Sequence, residues 1–413
     1  MFKKVIYNTS AQVFGKLITA SVTLLVTIII GRSLGEAGFG DFTKVFTLVG
    51  YFYTFADFGL NAIYVKKNDE KSLLFPILLG LRVLIAICLI VLAVTLSLVL
   101  PYNQQTGIGF PPLVKWAIAI ASLTILTQAI YTTTNAIFQK KLRYDLSTLA
   151  AIGGALTILV GAALGAYYKS GLLIFSAIYA IGGIVTLLIA LYILAQKFKI
   201  EAKIRFDLAK SKALLKGAAP IGVALILNLI YFRIDVLILS VTKTSAEVGI
   251  YGLAYQFFEA SLAVPIFFAN ALYPLLISLK QKNKEAYHTS FNKWIGLLGA
   301  VALLHTAALF MVAILIPIVY NGRFMGSVAA LQILATGVIF FYLSALFWHG
   351  LIILGKQKHL VIIYGSGAIF NLLSNLILIP TYGYLAAALV TVVSEAFILV
   401  LLALDYAHQK KHD

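Results

Sequence analysis

The sequence predicts an all-α polytopic membrane protein, twelve transmembrane helices in two six-helix bundles related by pseudo-two-fold symmetry, and three observations predict it. First, apolar runs of about 20 residues, the length an α-helix needs to cross the hydrocarbon core of a bilayer, fill most of a 413-residue chain that is 61% hydrophobic and only 11% charged. Second, lysine and arginine are distributed unevenly: 23 of 32 lie in the termini and alternate loops, and 6 in the remaining loops and their edges, Lys44 among them. Third, the chain repeats itself. GEAGFGDF, Gly35 to Phe42, aligns with AEVGIYGL, Ala246 to Leu253, at an offset of 211, and GLLIFSAIYAIG from Gly171 aligns with GYLAAALVTVVS from Gly383 at 212.

In chain order, the spans centre on residues 12–31, 42–64, 73–100, 114–138, 146–167, 172–195, 215–241, 248–278, 294–319, 328–353, 359–379 and 384–406. The opening segment has the charged start of a signal peptide, but its apolar stretch is span-length and runs into GRSLGEAGFG without a small-residue cleavage site, which predicts a retained first helix. The single cysteine, Cys88, lies in an apolar run, so disulfides play no part. After the sixth span the basic connection 197–216 divides the chain into domains 1–200 and 201–413. Within it FDLAKSKALLKGAAP reads as an aspartate-capped amphipathic turn or two on the inner membrane surface. Pro265 and Pro274 in the eighth span and Pro317 in the ninth predict kinks, because proline removes a helix hydrogen bond.

The charge asymmetry follows the positive-inside rule and predicts two cytoplasmic termini. It accounts for the net charge of +17 without nucleic acid, the clusters meeting anionic lipid at the cytoplasmic face. Six spans per half is an even number, so both halves enter from the same side, a parallel repeat suited to alternating access.

Polar residues fall in stripes at helical spacing. The first span carries Asn8, Gln12, Lys16, Thr19, Thr23 and Thr27; the second Tyr53, Asp57, Asn61 and Tyr64; the fourth Thr124, Gln128, Tyr131, Asn135 and Gln139; the eighth Glu259, Asn270 and Tyr273. Asn371 and Asn375 in the eleventh, and Thr391 and Glu395 in the twelfth, extend the pattern. Gln12, Thr23, Tyr53, Asn61, Gln128, Asn135, Asn270, Asn371 and Asn375 are the candidate polar lining of a cavity. Small polar residues also serve simply as interhelical glue. Ionisable ones cost more, about 2.5–3.5 kcal/mol at mid-span on insertion scales, and seven occur: Lys16, Arg82, Arg233, Asp57, Asp235, Glu259 and Glu395. The bland account of each is an interhelical ion pair. The functional account gives the three bases to an anionic substrate, guanidinium being well matched to phosphate oxygens, and Asp57, Asp235, Glu259 and Glu395 to cation coupling. Arg233 and Asp235, two residues apart, diverge by about 200° on a helix and so serve different faces.

GRSLGEAGFGDFTKVFTLVGYFYTFADFGLNA, the connection running into KALLKGAAPIGVALILNLIYFRIDVLIL, EVGIYGLAYQFFEA and NLLSNLILIPTYGYLAAALVTVVSE together resemble the polysaccharide biosynthesis proteins of the multidrug/oligosaccharidyl-lipid/polysaccharide exporter superfamily (MATE-like or MOP fold). Within it they resemble the Wzx-type flippases of O-antigen and capsule repeat units. The resemblance implies a V-shaped pair of bundles in the cytoplasmic (inner) membrane and a cargo of undecaprenyl-diphosphate-linked oligosaccharide. It also implies a cationic cavity that receives the diphosphate, a role open to Lys16, Arg82 and Arg233. Unlike the most basic members, this chain places as many acids as bases in its spans. Implied partners are the lipid-linked oligosaccharide, H⁺ or Na⁺, and the polysaccharide polymerase and glycosyltransferases acting before and after transport; no nucleic acid is expected.

Three rivals share parts of this pattern. A cation-coupled multidrug exporter would use the four acids; a lipid II flippase usually carries further helices. A membrane-embedded glycosyltransferase or ligase would place ionisable side chains in a long extracytoplasmic loop, and the longest here, PYNQQTGIGFPPL at 101–113, has none. No GxxxxGK[ST] phosphate loop is present, and His305 and His349 stand alone in their spans without metal-ligand spacing. No cofactor, metal or catalytic residue is expected.

Overall fold

In the computed structural model, residues 2–67 and 74–411 are described, with side chains from residue 14 to residue 410 within those bounds. The side chains of Asn8 and Gln12 lie outside the described residues. Fourteen helices are formed: α1 (Phe2–Asp57), α2 (Leu60–Lys66), α3 (Phe75–Val99), α4 (Pro112–Ala121), α5 (Leu123–Lys140), α6 (Tyr144–Tyr167), α7 (Leu172–Phe198), α8 (Leu208–Thr242), α9 (Ser245–Ser261), α10 (Ala263–Lys282), α11 (Lys284–Val319), α12 (Met325–Thr336), α13 (Val338–Ile353) and α14 (Gln357–Lys411). Ten helical stretches are long and apolar enough to cross a membrane, and the pairs α4/α5, α9/α10 and α12/α13 each make one such stretch. Two of the ten, within α1 and α14, are broken at Gly35 and Gly383, and separating their halves gives the twelve spans that the sequence predicts.

Those breaks are tight joints with no loop. Gly35 (φ 70°) and Gly383 (φ 65°) adopt left-handed φ, which glycine tolerates without steric cost. The residues opening α9 and α7, Thr244 (ψ 158°) and Gly171 (ψ −175°), do the same work with extended ψ. Gly171 and Gly383 occupy corresponding places in the repeat, and Thr244 lies two residues before Ala246, the counterpart of Gly35, so the joints fall at or near matching places in the two halves. Prolines act locally. The α9/α10 break at Leu262 sits between Pro265 and the Ser261 carbonyl that its missing N–H leaves without an intrahelical donor. Pro274 lies inside α10 and Pro317 near the end of α11.

Contacts divide the chain into two compact units, Met1–Leu229 and Ile230–Asp413. The division falls inside α8, beyond the 200/201 boundary read from the sequence, because Leu214 and Ala218 at the start of α8 are buried with Leu60, Tyr64, Phe75 and Leu78 of the first unit. In that unit α6 packs on α1 and α7, and α5 on α3 and α7. The glycines Gly161 and Gly165 of α6 form the notch that receives Ile178 and Phe175 of α7. In the second unit α12 packs on α9, α11 and α14, and α13 on α10, α11 and α14.

The segment expected to be a loop at 101–113 contains a hairpin, β1 (Tyr102–Asn103) against β2 (Ile108–Gly109). The Asn103 side chain accepts from the Gln105 and Thr106 N–H groups, and the Phe110 N–H from its far end reaches the Pro101 carbonyl at 2.9 Å. Lys44, counted by sequence among the loop edges, is instead a fully buried residue of α1. It donates to the Gly109 carbonyl at 2.6 Å and lies over the Phe110 ring, fastening the hairpin to the helix.

Candidate functional site

In the first unit the break after α1 organises a charged cluster. Phe58 (φ 43°) and Gly59 (φ 68°) interrupt the helix directly after Asp57 and turn the chain into α2. Arg82 of α3, with no exposed surface, reaches that break. Its Nη2 donates to Asp57 Oδ1 at 2.7 Å and to the Asp57 carbonyl at 3.2 Å, and its Nη1 to Asn61 Oδ1 at 2.7 Å and Thr133 Oγ1 at 3.3 Å. Asn61 passes the bonding on to the Thr132 carbonyl of α5 at 2.9 Å. One arginine thus ties four helices and caps the broken end of α1. Its Nε–H, also buried, has no acceptor among the described residues. Arg82 and Asp57, expected as a phosphate ligand and a coupling acid, are each other's partners.

Lys16 is placed differently. It lines a cavity of about 250 Å³ between α1, α5 and α6 together with Gly15, Thr19, Tyr131, Tyr144, Ser147, Thr148 and Ala151. The lining offers one ammonium and five hydroxyls and no carboxylate. Behind it, Asn135 Oδ1 accepts from Ser147 Oγ at 2.7 Å, while Tyr131 donates to the Ser147 carbonyl at 3.0 Å. Of the other lining candidates in this unit, Tyr53 is hydrogen-bonded to Thr124 and Thr23 to its own helix, and the exposed Gln128 donates to Thr132 on its own helix, at 3.5 Å. None of the three lines the Lys16 cavity.

In the second unit Arg233 and Asp235 of α8 leave the helix in different directions, as their spacing requires. Arg233 Nη2 contacts both oxygens of Glu259 on α9, at 2.5 and 2.7 Å, with its guanidinium over the Tyr255 ring 5.4 Å from the centroid. The pair is partly open: the arginine side chain is 33% exposed and Glu259 41%. Only Nη2 is engaged by Glu259, so the Nη1 and Nε edge is not used by that bond.

Asp235 points inward and is buried with Tyr251 of α9, which donates to Oδ2, and Thr391 of α14 at 3.4 Å. Glu395, also buried, accepts from Tyr231 at 2.9 Å and lies beside the Ser344 hydroxyl of α13. Neither carboxylate has an ion-pair partner among the described residues. Asn371 donates to Ser394 at 3.1 Å and Asn375 to Asn371 at 3.0 Å. Both asparagines are buried inside this unit and join the halves of α14, whereas Asn270 on α10 is exposed. Sequence reasoning missed Tyr251, Tyr255, Ser344 and the α6 hydroxyls of the Lys16 cavity. Tyr251 and Tyr255 do stand one helical turn apart, opposite the acid-bearing stretch of α8. Among the described residues no group of His, Cys, Asp or Glu is arranged to hold a metal.

Comparison with known proteins adds the following. The structure resembles the lipid II flippase MurJ in an inward closed conformation (TM-score 0.71, 17% identity, 97% of this chain and 87% of that one). It also resembles a multidrug resistance MATE transporter of the MOP superfamily in an inward-facing conformation (0.73, 14%, 95% and 96%). A third similar structure is a MOP superfamily transporter from Pyrococcus furiosus whose binding pocket is described as reversed in polarity (0.60, 14%, 99% and 95%). These likenesses show the fold, that of polytopic membrane transporters. An uncharacterised membrane protein of Methanocaldococcus jannaschii is 29% identical over 123 residues, which is 29% of this chain and about a quarter (24%) of that relative's length. Residues 1–280 match the family described as polysaccharide biosynthesis protein. That match spans the Arg82–Asp57 cluster, the Lys16 cavity and the Arg233–Glu259 pair, and the chain belongs to the polysaccharide biosynthesis protein family.

Proposed function

We propose that the protein is a flippase that carries undecaprenyl-diphosphate-linked oligosaccharide repeat units, of the O-antigen or capsule kind, from the inner to the outer leaflet of the cytoplasmic membrane. It exposes its cargo sites to the two faces in alternation, with both termini on the cytoplasmic side. The observation that carries this reading is the Lys16 cavity. A cation among hydroxyls, without a carboxylate in the lining, suits a phosphate group: the ammonium supplies charge and the hydroxyls supply donors. At about 250 Å³ the cavity is smaller than the roughly 300–1,000 Å³ of sites that enclose a drug-sized ligand. It would therefore hold the diphosphate and leave the oligosaccharide outside. Arg233, held from one side by Glu259 and stacked on Tyr255, keeps a guanidinium edge for a second anionic contact. Arg82, bonded through both terminal nitrogens to Asp57, Asn61 and Thr133, is given a positioning role.

The test is transport of lipid-linked oligosaccharide into proteoliposomes, with the protein's amount in the membrane measured in parallel. Lys16→Arg should keep most of the rate. Lys16→Ala, losing a charge-assisted contact of about 1.5–3 kcal/mol, should bind cargo roughly 10- to 150-fold more weakly. A normal rate for Lys16→Ala at normal abundance would remove the cavity from the cargo path.

One specific observation favours a second reading, cation-coupled export of another amphiphile. Asp235 and Glu395 are buried carboxylates without ion-pair partners among the described residues, the kind of group that marks proton or Na⁺ sites in membrane transporters. Under either cargo, Asp235→Asn or Glu395→Gln should flatten the dependence of transport on an imposed H⁺ or Na⁺ gradient while abundance is kept. An unchanged gradient dependence in both variants would end the coupling role.

A further inference from the structure

Between α7 and α8 the chain runs from Lys199 to Asp207 without regular secondary structure, and it does not dangle. Lys199 (φ 55°) ends α7 in a left-handed turn. The Arg205 N–H then donates to the Pro76 carbonyl in the first turn of α3 at 3.0 Å. The Arg205 carbonyl lies directly on Gly80, where any side chain would meet it. Asp207 closes the segment, its carboxylate accepting the Lys210 N–H at 2.9 Å and so capping α8 as the sequence predicts.

Those contacts fix the depth of the segment. The 25 residues of α3 extend about 37 Å at about 1.5 Å each, a little more than the roughly 30 Å hydrocarbon core. With that excess shared between its two ends the hydrocarbon begins about 3–4 Å into α3, so Gly80, about 7 Å from the start by the same rise, lies just inside the boundary. At this level the segment turns Ile204, Phe206 and Leu208 outward, 49%, 71% and 87% exposed. Three large apolar side chains in a row are not left in water at a bilayer boundary.

Charge identifies what they meet. From Lys197 to Lys216 there are seven bases, Lys197, Lys199, Lys203, Arg205, Lys210, Lys212 and Lys216, against two acids. Both acids are already engaged within the segment, Glu201 by Lys203 at 2.6 Å and Asp207 by Lys210 at 3.5 Å. The hydrogen bond from Lys203 holds the Glu201 carboxyl below the usual carboxylate range, and the Lys210 N–H does the same for Asp207, so both stay ionised and neutralise only those lysines.

We propose that residues 199–212 are a membrane-surface strap that binds anionic phospholipid, inserting Ile204, Phe206 and Leu208 among the acyl chains while Lys199, Arg205 and Lys212 contact the head groups. Basic residues beside a membrane are drawn to anionic lipid, and apolar side chains set how deep they sit. The strap is held to the first unit through α3 whatever cargo the transporter carries, so this assignment is independent of the flippase reading.

The experiment uses the full chain carrying Cys88→Ala and Phe206→Cys, labelled with bimane and reconstituted into vesicles of phosphatidylcholine with 30% phosphatidylglycerol by design. Nitroxide is introduced on the upper acyl chain of either lipid at equal mole fraction. Both quenchers should dim the label, and the phosphatidylglycerol quencher should do so about two-fold or more strongly. That excess should disappear in Lys199→Gln/Arg205→Gln/Lys212→Gln and in about 1 M salt, where the screening length falls to about 3 Å. Quenching by neither lipid would overturn the proposal, meaning water or another protein covers the strap. Equal quenching by the two lipids would overturn the anionic recognition.

Discussion

Arg82 is where residue-scale reasoning is most exposed. The sequence singles it out correctly as a costly intramembrane charge, but its partners could not be read from spacing. Asp57 and Asn61 come from a helix break produced by Phe58 and Gly59, and Thr133 from a helix some fifty residues on. Partner choice is decided by how helices approach, and no periodicity encodes that. The divergence of Arg233 and Asp235 was legible, because helical geometry alone sets it, although Glu259 and Tyr251 as their separate partners were not. The Arg82 tie makes a firm prediction. Arg82 is fully buried although its partner Asp57 is 39% exposed, so Arg82→Ala opens a cavity and takes the donor from Asn61 Oδ1 and from the Asp57 carbonyl, a loss of about 2–5 kcal/mol. The substitution should therefore lower thermal stability of the purified protein far more than Arg233→Ala, whose arginine side chain is 33% exposed. Equal losses measured by thermal unfolding in detergent would mean that Arg82 is not the tie the geometry indicates.

At the scale of elements, the twelve spans were legible because each is long, apolar and bounded by charge or glycine. Breaks inside spans were legible only where a proline announced them. Leu262 before Pro265 is such a case, while the interruption of α4 and α5 at Ser122, which turns its hydroxyl back to the Ile118 carbonyl at 2.7 Å, has no comparable letter. The hairpin at 102–109 was missed because two-residue strands are too short to show alternation. Gly35 and Gly383 show what the tight joints ask of sequence. A side chain at 383 would sit at left-handed φ and meet the Glu247 carboxylate as well, so two independent constraints hold that glycine in place.

For the whole molecule, the contact division at Leu229/Ile230 does not coincide with the 200/201 joint read from the repeat. The repeat is a property of the letters, whereas the contact division reports packing, and the start of α8 packs on α2 and α3. Orientation is argued from charge alone and can be measured directly. With Cys88→Ala as background, cysteines at Gln104, Tyr168 and Met325 should react from outside intact cells with a membrane-impermeant thiol reagent. Cysteines at Lys141, Gln281 and Gln357 should react only after the cells are opened. All six positions lie outside the buried core. Reversed labelling would invert the proposed topology, and a mixed pattern would break the twelve-span count.

The clasp between Lys44 and the hairpin has a practical side. A protein with nearly all its mass in lipid gives electron microscopy few landmarks for aligning particles, and a flexible loop is a poor handle for an antibody fragment. Residues 102–109 are neither featureless nor loose: a two-rung ladder, an asparagine-held tip and a buried lysine anchor them to α1. A nanobody raised against that hairpin would move as one body with the half of α1 that follows Gly35 and bears Lys44, serving as both fiducial and rigid reporter.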